Sequence, residues 1–232
     1  MTTTRVELLY LLATLSFLPA CLRAVRTWPH LDTGARRFAA WLGLDVVVSL
    51  TFVLLQAVDL HINAQRFAAF AIPIEKLVLF LALAAWQVDA RMRGVVTGLA
   101  VASLAFWVPG LGSWPASESL GVGLVTVQAL LVVAVATFVL VRRWLEGTPE
   151  PRAQPWFWAA AGLMLFYGLF ALVPPLIGYF LSVQQEPRAE VVLALRSGVQ
   201  VAAAVCFWLA YRNVPLPDGA GRAPLARGAA IA

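Results

Sequence analysis

Two charged residues lie side by side in an otherwise apolar run, Ile72-Pro73-Ile74-Glu75-Lys76-Leu77-Val78-Leu79-Phe80, and Lys76 is the only lysine in the 232-residue chain. A carboxylate beside an ammonium in such surroundings either locks helices together as an ion pair or receives a polar ligand. A second cation in an apolar stretch is Arg196, followed by Gln200 four residues later on the same helical face. Gln56 and Gln128 are further hydrogen-bonding side chains inside apolar runs. Together Glu75, Lys76, Arg196, Gln200, Gln56 and Gln128 form a candidate ligand-binding set. Two cations stand against one carboxylate in it, an excess suited to an acidic ligand or a lipid head group.

Asp45, Ser49, Phe52, Gln56 and Asp59 recur at helical spacing and so share a face. Acidic residues within membrane spans often form proton relays or ion paths, so Asp45, Ser49 and Asp59 are candidate path residues. Phe52 interrupts the line, and Asp45 has no second acid expected at its depth. An inward face with a hydrogen-bonded carboxylate is therefore the favoured reading.

Other chemistries are poorly served. His30 and His61 are the only histidines and fall in loops on opposite sides, so no shared metal site is expected. There is no His-Glu-x-x-His zinc motif, Gly-x-Ser-x-Gly nucleophile turn or phosphate-binding glycine loop. Neither an enzyme nor a cofactor is expected. Cys21 and Cys206 have no metal spacing and read as small apolar filler.

The elements that position these residues are membrane spans. Hydrophobic residues make up 61% of the chain and charged residues 12%, about half the charged share usual in soluble domains. Apolar runs give seven spans, about Val6–Val25, Phe38–Val58, Phe67–Val88, Gly94–Pro109, Leu120–Val141, Pro155–Leu181 and Ala189–Tyr211. The expected fold is all-α, a polytopic bundle of seven transmembrane helices in a bacterial inner membrane, surrounded by membrane lipid. Residues 213–232 read as a disordered cytoplasmic tail.

Basic residues set the orientation. One side collects Arg23, Arg26, Arg36, Arg37, Arg91, Arg93, Arg142, Arg143, Arg152, Arg212, Arg222 and Arg227; the other holds Arg5, Arg66 and Arg188. The positive-inside rule then puts the N-terminus outside and the C-terminus in the cytoplasm. The net charge of +5 is a topology signal spread over short loops, and no nucleic-acid partner is expected. Leu18-Pro19-Ala20-Cys21 resembles a lipoprotein processing box, but Arg23 and Arg26 follow it directly, so an uncleaved helix is expected. Tryptophans near span ends, Trp28, Trp41, Trp144, Trp156 and Trp158 on one side and Trp107 and Trp114 on the other, read as an aromatic belt. Pro174-Pro175 is expected to interrupt and kink the sixth span.

At 1.5 Å per residue, Glu75 and Lys76 lie about 12 Å, and Arg196 about 10 Å, from the outer starts of their spans. The polar set thus forms a layer in the outer half, where Glu75 is expected to pair with Arg196.

The segment Leu11–Trp86 resembles an uncharacterised group of bacterial seven-helix proteins. It has a first helix, a short basic loop (Arg-Thr-Trp-Pro-His-Leu-Asp-Thr-Gly-Ala-Arg-Arg), a second helix, an outer loop with Asn63, and a third helix carrying Glu75. Similar modules act as sensory input domains joined to or working beside signalling proteins. The resemblance implies a receptor-like role for this chain. A small acidic or lipid-like ligand is expected in the outer-half pocket, with output through a cytoplasmic or membrane signalling partner, since the chain shows no effector domain. A transporter or channel using the Asp45–Gln56 stripe, and a structural membrane subunit, are the alternatives.

Overall fold

The structure, a computed structural model, describes residues 3–58, 61–113, 118–147 and 150–214. Among the described residues the fold is all-α: α1 (Thr3–Leu15), α2 (Leu18–Thr27), α3 (Thr33–Ala57), α4 (His61–Ala85), α5 (Ala90–Ser113), α6 (Glu118–Leu145), α7 (Pro155–Ser182) and α8 (Glu186–Arg212). Five helical segments are long and apolar enough to cross a bilayer: Leu8–His30, Thr33–Ala57, Gly123–Leu145, Pro155–Ser182 and Glu186–Arg212. At 25 and 24 residues, α4 and α5 match them in length. The expected tail beyond residue 214, including Arg222 and Arg227, and Trp114 lie outside the described residues.

Three expectations are corrected. The first span is two helices, α1 and α2, separated by a turn at Ser16–Phe17. Pro19 has no amide hydrogen to give the Leu15 carbonyl, and its ring crowds that carbonyl. It fits instead in the first turn of α2, where helix amides have no partner in any case. By contrast, α7 runs without interruption through Pro174 and Pro175. The helices that carry the third and seventh expected spans begin at His61 and Glu186, before Phe67 and Ala189. Polar residues at those ends hide helix from a hydropathy reading.

Helices adjacent in sequence pack side by side. The α7–α8 contact is the most extensive, followed by α3–α4, α6–α7 and α4–α5, while α5 touches α6 only lightly. Both α1 and α2 lie against α8 and α3, so the first helices close on the last. Small residues permit the close α7–α8 approach: Ala159, Ala160 and Gly162 face Ala203, Ala204 and Phe207 in the buried core. A Cβ built on Gly162 would collide with the Phe207 ring.

The half of the bundle that holds the start of α3 and the end of α8 is filled by aromatic rings. Phe38 stacks against Trp41, Trp86, Phe207 and Tyr211, with ring centroids 5.1–6.4 Å apart. Trp41 and Tyr211 are fully buried, and the Tyr211 hydroxyl donates to the Ala35 carbonyl at 3.1 Å. Trp41, Trp107 and Trp156 are thus core residues rather than belt, because their helix faces turn inward. Trp28, Trp144 and Trp208 are exposed.

This end of the bundle is also the basic one, and its arginines cap helix C-termini. Arg23 donates to the carbonyls of Tyr211, Arg212 and Val214 at the end of α8. Arg37 donates to the Leu81 carbonyl near the end of α4, and Arg143 to that of Trp86 just beyond it. Terminal carbonyls have no intrahelical donor and carry the negative end of the helix dipole, so cations stabilise them. At the start of α3, Asp32 accepts from the Ala35 amide at 2.7 Å, an N-cap.

Gly162→Ala is expected to lower unfolding free energy by about 1–3 kcal/mol through overpacking against Phe207. Gly168→Ala, with nothing within 4 Å of the added methyl, is the control and is expected to be neutral or slightly stabilising. Unfolding midpoints of the two variants in detergent test this; equal midpoints would contradict the packing described.

Candidate functional site

The earlier helix starts change the depths of the charged residues. From His61, Glu75 lies about 21 Å along α4, and Asp45 lies about 18 Å from the opposite end of α3 at Ala57. Arg196 and Gln128 are each about 15 Å along α8 and α6, and Gln200 about 21 Å along α8. Because α3 runs against α4, Asp45 and Glu75 meet near mid-bundle. The polar residues form a column that reaches from Gln56, near the end of α3, down to this level.

Glu75 is the hub. Its Oε1 accepts from Trp41 Nε1 on α3 at 3.1 Å, from the Tyr167 hydroxyl on α7 at 3.1 Å and from Lys76 Nζ at 2.6 Å. Lys76 Nζ also donates to the Tyr167 hydroxyl at 2.6 Å and sits 4.6 Å from the centroid of that ring. Glu75 is 4% exposed and Lys76 8%. A buried ion pair recovers its desolvation cost only when further hydrogen bonds complete it, and here tryptophan and tyrosine supply them. Asp45, 6% exposed, lines the same cavity as Glu75.

The expected Glu75–Arg196 pair does not form; Lys76 takes the carboxylate. Arg196 is held by rings, its guanidinium carbon 4.6 Å from the Phe170 centroid and 5.4 Å from that of Tyr10 on α1. Its Nε is buried without a hydrogen-bond partner. Such stacking suits the weakly hydrated, planar guanidinium.

Asp45, Ser49, Gln56, Glu75, Lys76, Gln128, Arg196 and Gln200 all line one cavity of about 350 Å³, within the range of small-molecule pockets. Its remaining walls are mostly apolar, among them Leu9, Phe52, Ile72, Val125, Phe166 and Leu193. The Tyr10 hydroxyl bridges to Ser49 Oγ at 3.3 Å across one side. Gln128 is partly committed: its Nε2 donates to Ser103 Oγ at 2.8 Å and ties α6 to α5. Asp59 lies outside the described residues, as do the side chains of His61 and Asn63.

The expected charge excess needs revision. Asp45 shares the cavity with Glu75, so two acids face two bases, and Glu190, which has an interaction of its own, lies on the wall as well. Sequence reading also missed Trp41, Tyr167, Tyr10 and Phe170. Trp41 precedes Asp45 by four residues on the same helix face, and Tyr167 is a lone hydroxyl in an apolar run; both were available signals.

Among the described residues no group of three His, Cys, Asp or Glu side chains gathers to hold a metal ion. Cys21 and Cys206 are free and half-buried. No protein-family model matches the chain, and no curated protein or solved structure is significantly similar to it. The resemblance to a sensory group therefore stays at the coarser level of a multi-span helical membrane protein.

Lys76→Met is expected to lower stability by about 3–5 kcal/mol, because it leaves Glu75 charged and buried without its cation. The double variant Glu75→Gln with Lys76→Met is expected to recover most of that loss. Unfolding titrations of the single and double variants measure both. A double variant no more stable than the single would show that the pair is not coupled as drawn.

Proposed function

We propose that this protein is a seven-span bundle of a bacterial inner membrane, its arginine-rich end in the cytoplasm and its N-terminus outside. In this reading it is a receptor-like module whose cavity binds a small amphipathic acid or a lipid with an acidic head group. One observation carries the reading: Arg196 stands in the wall of a largely apolar cavity with no carboxylate among its described partners and an unbonded Nε. The guanidinium would receive the acid, Gln200 and Ser49 would orient it, and the apolar walls would take the chain. Glu75 and Lys76 would form the floor. The aromatic packing of Phe38, Trp41, Phe207 and Tyr211 lies between that floor and the arginine-rich end. A closed floor favours binding and signalling through a separate partner over passage.

The second reading, a transporter or channel, draws on a different observation: Asp45, Ser49, Phe52 and Gln56 all line the cavity as one stripe. It needs the aromatic packing to open. A purely structural subunit would leave the cavity without an occupant.

Octanesulfonate, a permanently charged amphiphile, is the probe. Wild-type protein is expected to bind it, and Arg196→Gln to weaken binding about tenfold or more, as loss of a charged hydrogen bond implies. Calorimetric titration with folded yield measured in parallel checks this, and undiminished affinity in a folded variant would discard the assignment. The two readings separate at Leu42, fully buried under the network. Leu42→Cys is expected to resist polar thiol reagents applied from either side; modification from both sides would favour transport.

A further inference from the structure

The acid-binding reading uses one pole of the cavity wall and leaves another unused. Five charged side chains line the cavity: Asp45, Glu75, Lys76, Glu190 and Arg196. Glu75 and Lys76 pair with each other, and Glu190 has an interaction of its own. Arg196 is seated between two rings with its Nε unbonded. Asp45 is buried, and among the described residues no cation forms an ion pair with its carboxyl, Arg196 included. Gln128 adds a second open acceptor to the wall: its Nε2 donates to Ser103 Oγ, while its Oε1 is buried without a partner.

The two unpaired charges lie at comparable levels. The Tyr211–Ala35 hydrogen bond sets the end of α8 beside the start of α3, so the end of α3 and the start of α8 share a side. From that side Asp45 is about 18 Å along α3 and Arg196 about 15 Å along α8. A cavity of about 350 Å³ lets one small molecule reach both. An isolated charge at such depth is costly unless a partner meets it. A ligand with an acid alone would satisfy Arg196 but bring an anion toward Asp45, and like charges repel. An amine alone would do the reverse. A molecule bearing both groups answers both poles and adds no net charge to the wall.

We infer that the ligand of this cavity is an amphipathic zwitterion, its acid on Arg196 and its primary ammonium donating to the Asp45 carboxylate and to Gln128 Oε1. The inference rests on the acid-binding reading of Arg196 and adds the opposite pole to it. The apolar walls, Phe52, Ile72 and Leu193 among them, take the chain. An ammonium with N–H groups is required, because both acceptors need a donor. Two sources share this chemistry: a free amino acid with an apolar side chain, and the head group of an aminophospholipid.

Calorimetric titration of the full chain in phosphatidylcholine nanodiscs tests this with octanoate and 2-aminooctanoate, which share chain and acid and differ by the ammonium. Wild type is expected to bind 2-aminooctanoate about tenfold or more tightly, as a charged hydrogen bond implies. Asp45→Asn is expected to bring the ratio of the two affinities near one. Equal affinities in wild type, a comparison that needs no variant, would overturn the inference, as would an unchanged ratio in folded Asp45→Asn. Octanesulfonate separates the two readings. If it binds in an Arg196-dependent way and the ammonium brings no preference, the zwitterion alone is overturned. If all three probes are indifferent to Arg196→Gln, the acid site is overturned with it. Phosphatidylethanolamine added to the disc tells the sources apart. A weaker apparent affinity of wild type for 2-aminooctanoate identifies the lipid head group as its competitor, and an equal one identifies the free amphiphile as the occupant.

Discussion

A single carboxylate oxygen holds three helices in register. Glu75 Oε1 binds Trp41 of α3, Tyr167 of α7 and its own neighbour Lys76 on α4. An ionised group near a bilayer centre costs about 2.5–3.5 kcal/mol on insertion scales, and removing any one donor would expose that cost again. The constraint therefore propagates. Trp41 must point inward, which draws Phe38 and Phe207 around it. Tyr167 must face α4, which turns Phe166 toward Phe17 at the break between α1 and α2. The aromatic half of the core and the polar half of the cavity meet at this oxygen.

Much of this was legible from residue types alone. Charges in apolar runs had to face inward, and Glu75, Lys76, Arg196, Gln200, Gln128 and Gln56 do line one cavity. The pairing was not legible, because it turns on helix starts. The stretch His61–Arg66 is polar and reads as loop, yet it is helical, and the added length sets Glu75 opposite Asp45. The hydropathy of a helix end reports its solvent, not its backbone. Trp41 illustrates a second ambiguity: a tryptophan near the end of a span suits an interface or a core equally well, and only the inward face it shares with Asp45 separates the two.

Proline shows how context decides a local rule. Pro19 ends α1 because a turn can form at Ser16–Phe17 and the proline then occupies the first turn of α2, where no amide is missed. Pro174 and Pro175 lie deep in α7 and deprive the carbonyls of Phe170 and Ala171 of their usual donors, yet the helix continues. Phe170 stacks on Arg196 and Ala171 is buried. The same sequence feature thus separates two helices in one place and, in the other, leaves weakened backbone beside the cavity. Of the helices lining the cavity, α1 is the one joined to the rest by a break, and it brings Tyr10 to Arg196.

The choice between receptor and transporter rests on what lies beneath Asp45. A path across the membrane would need polar groups continuing toward the arginine-rich end. Instead α3 presents Leu42, Phe38 and Ala35 in that direction, all buried, and α8 presents Phe207 and Tyr211 against them. The Tyr211 hydroxyl is spent on the Ala35 carbonyl, so it offers no relay. Opening such a stack would expose fully buried rings, each contributing about 1.5–3 kcal/mol of burial. The binding event proposed at Arg196 would supply a few kcal/mol at most from charged hydrogen bonds. Under the proposed binding reading, that would be enough to rearrange Tyr10 and α1 at the rim but not to part several rings at once, so any motion on binding would lie at the cavity wall with the floor closed.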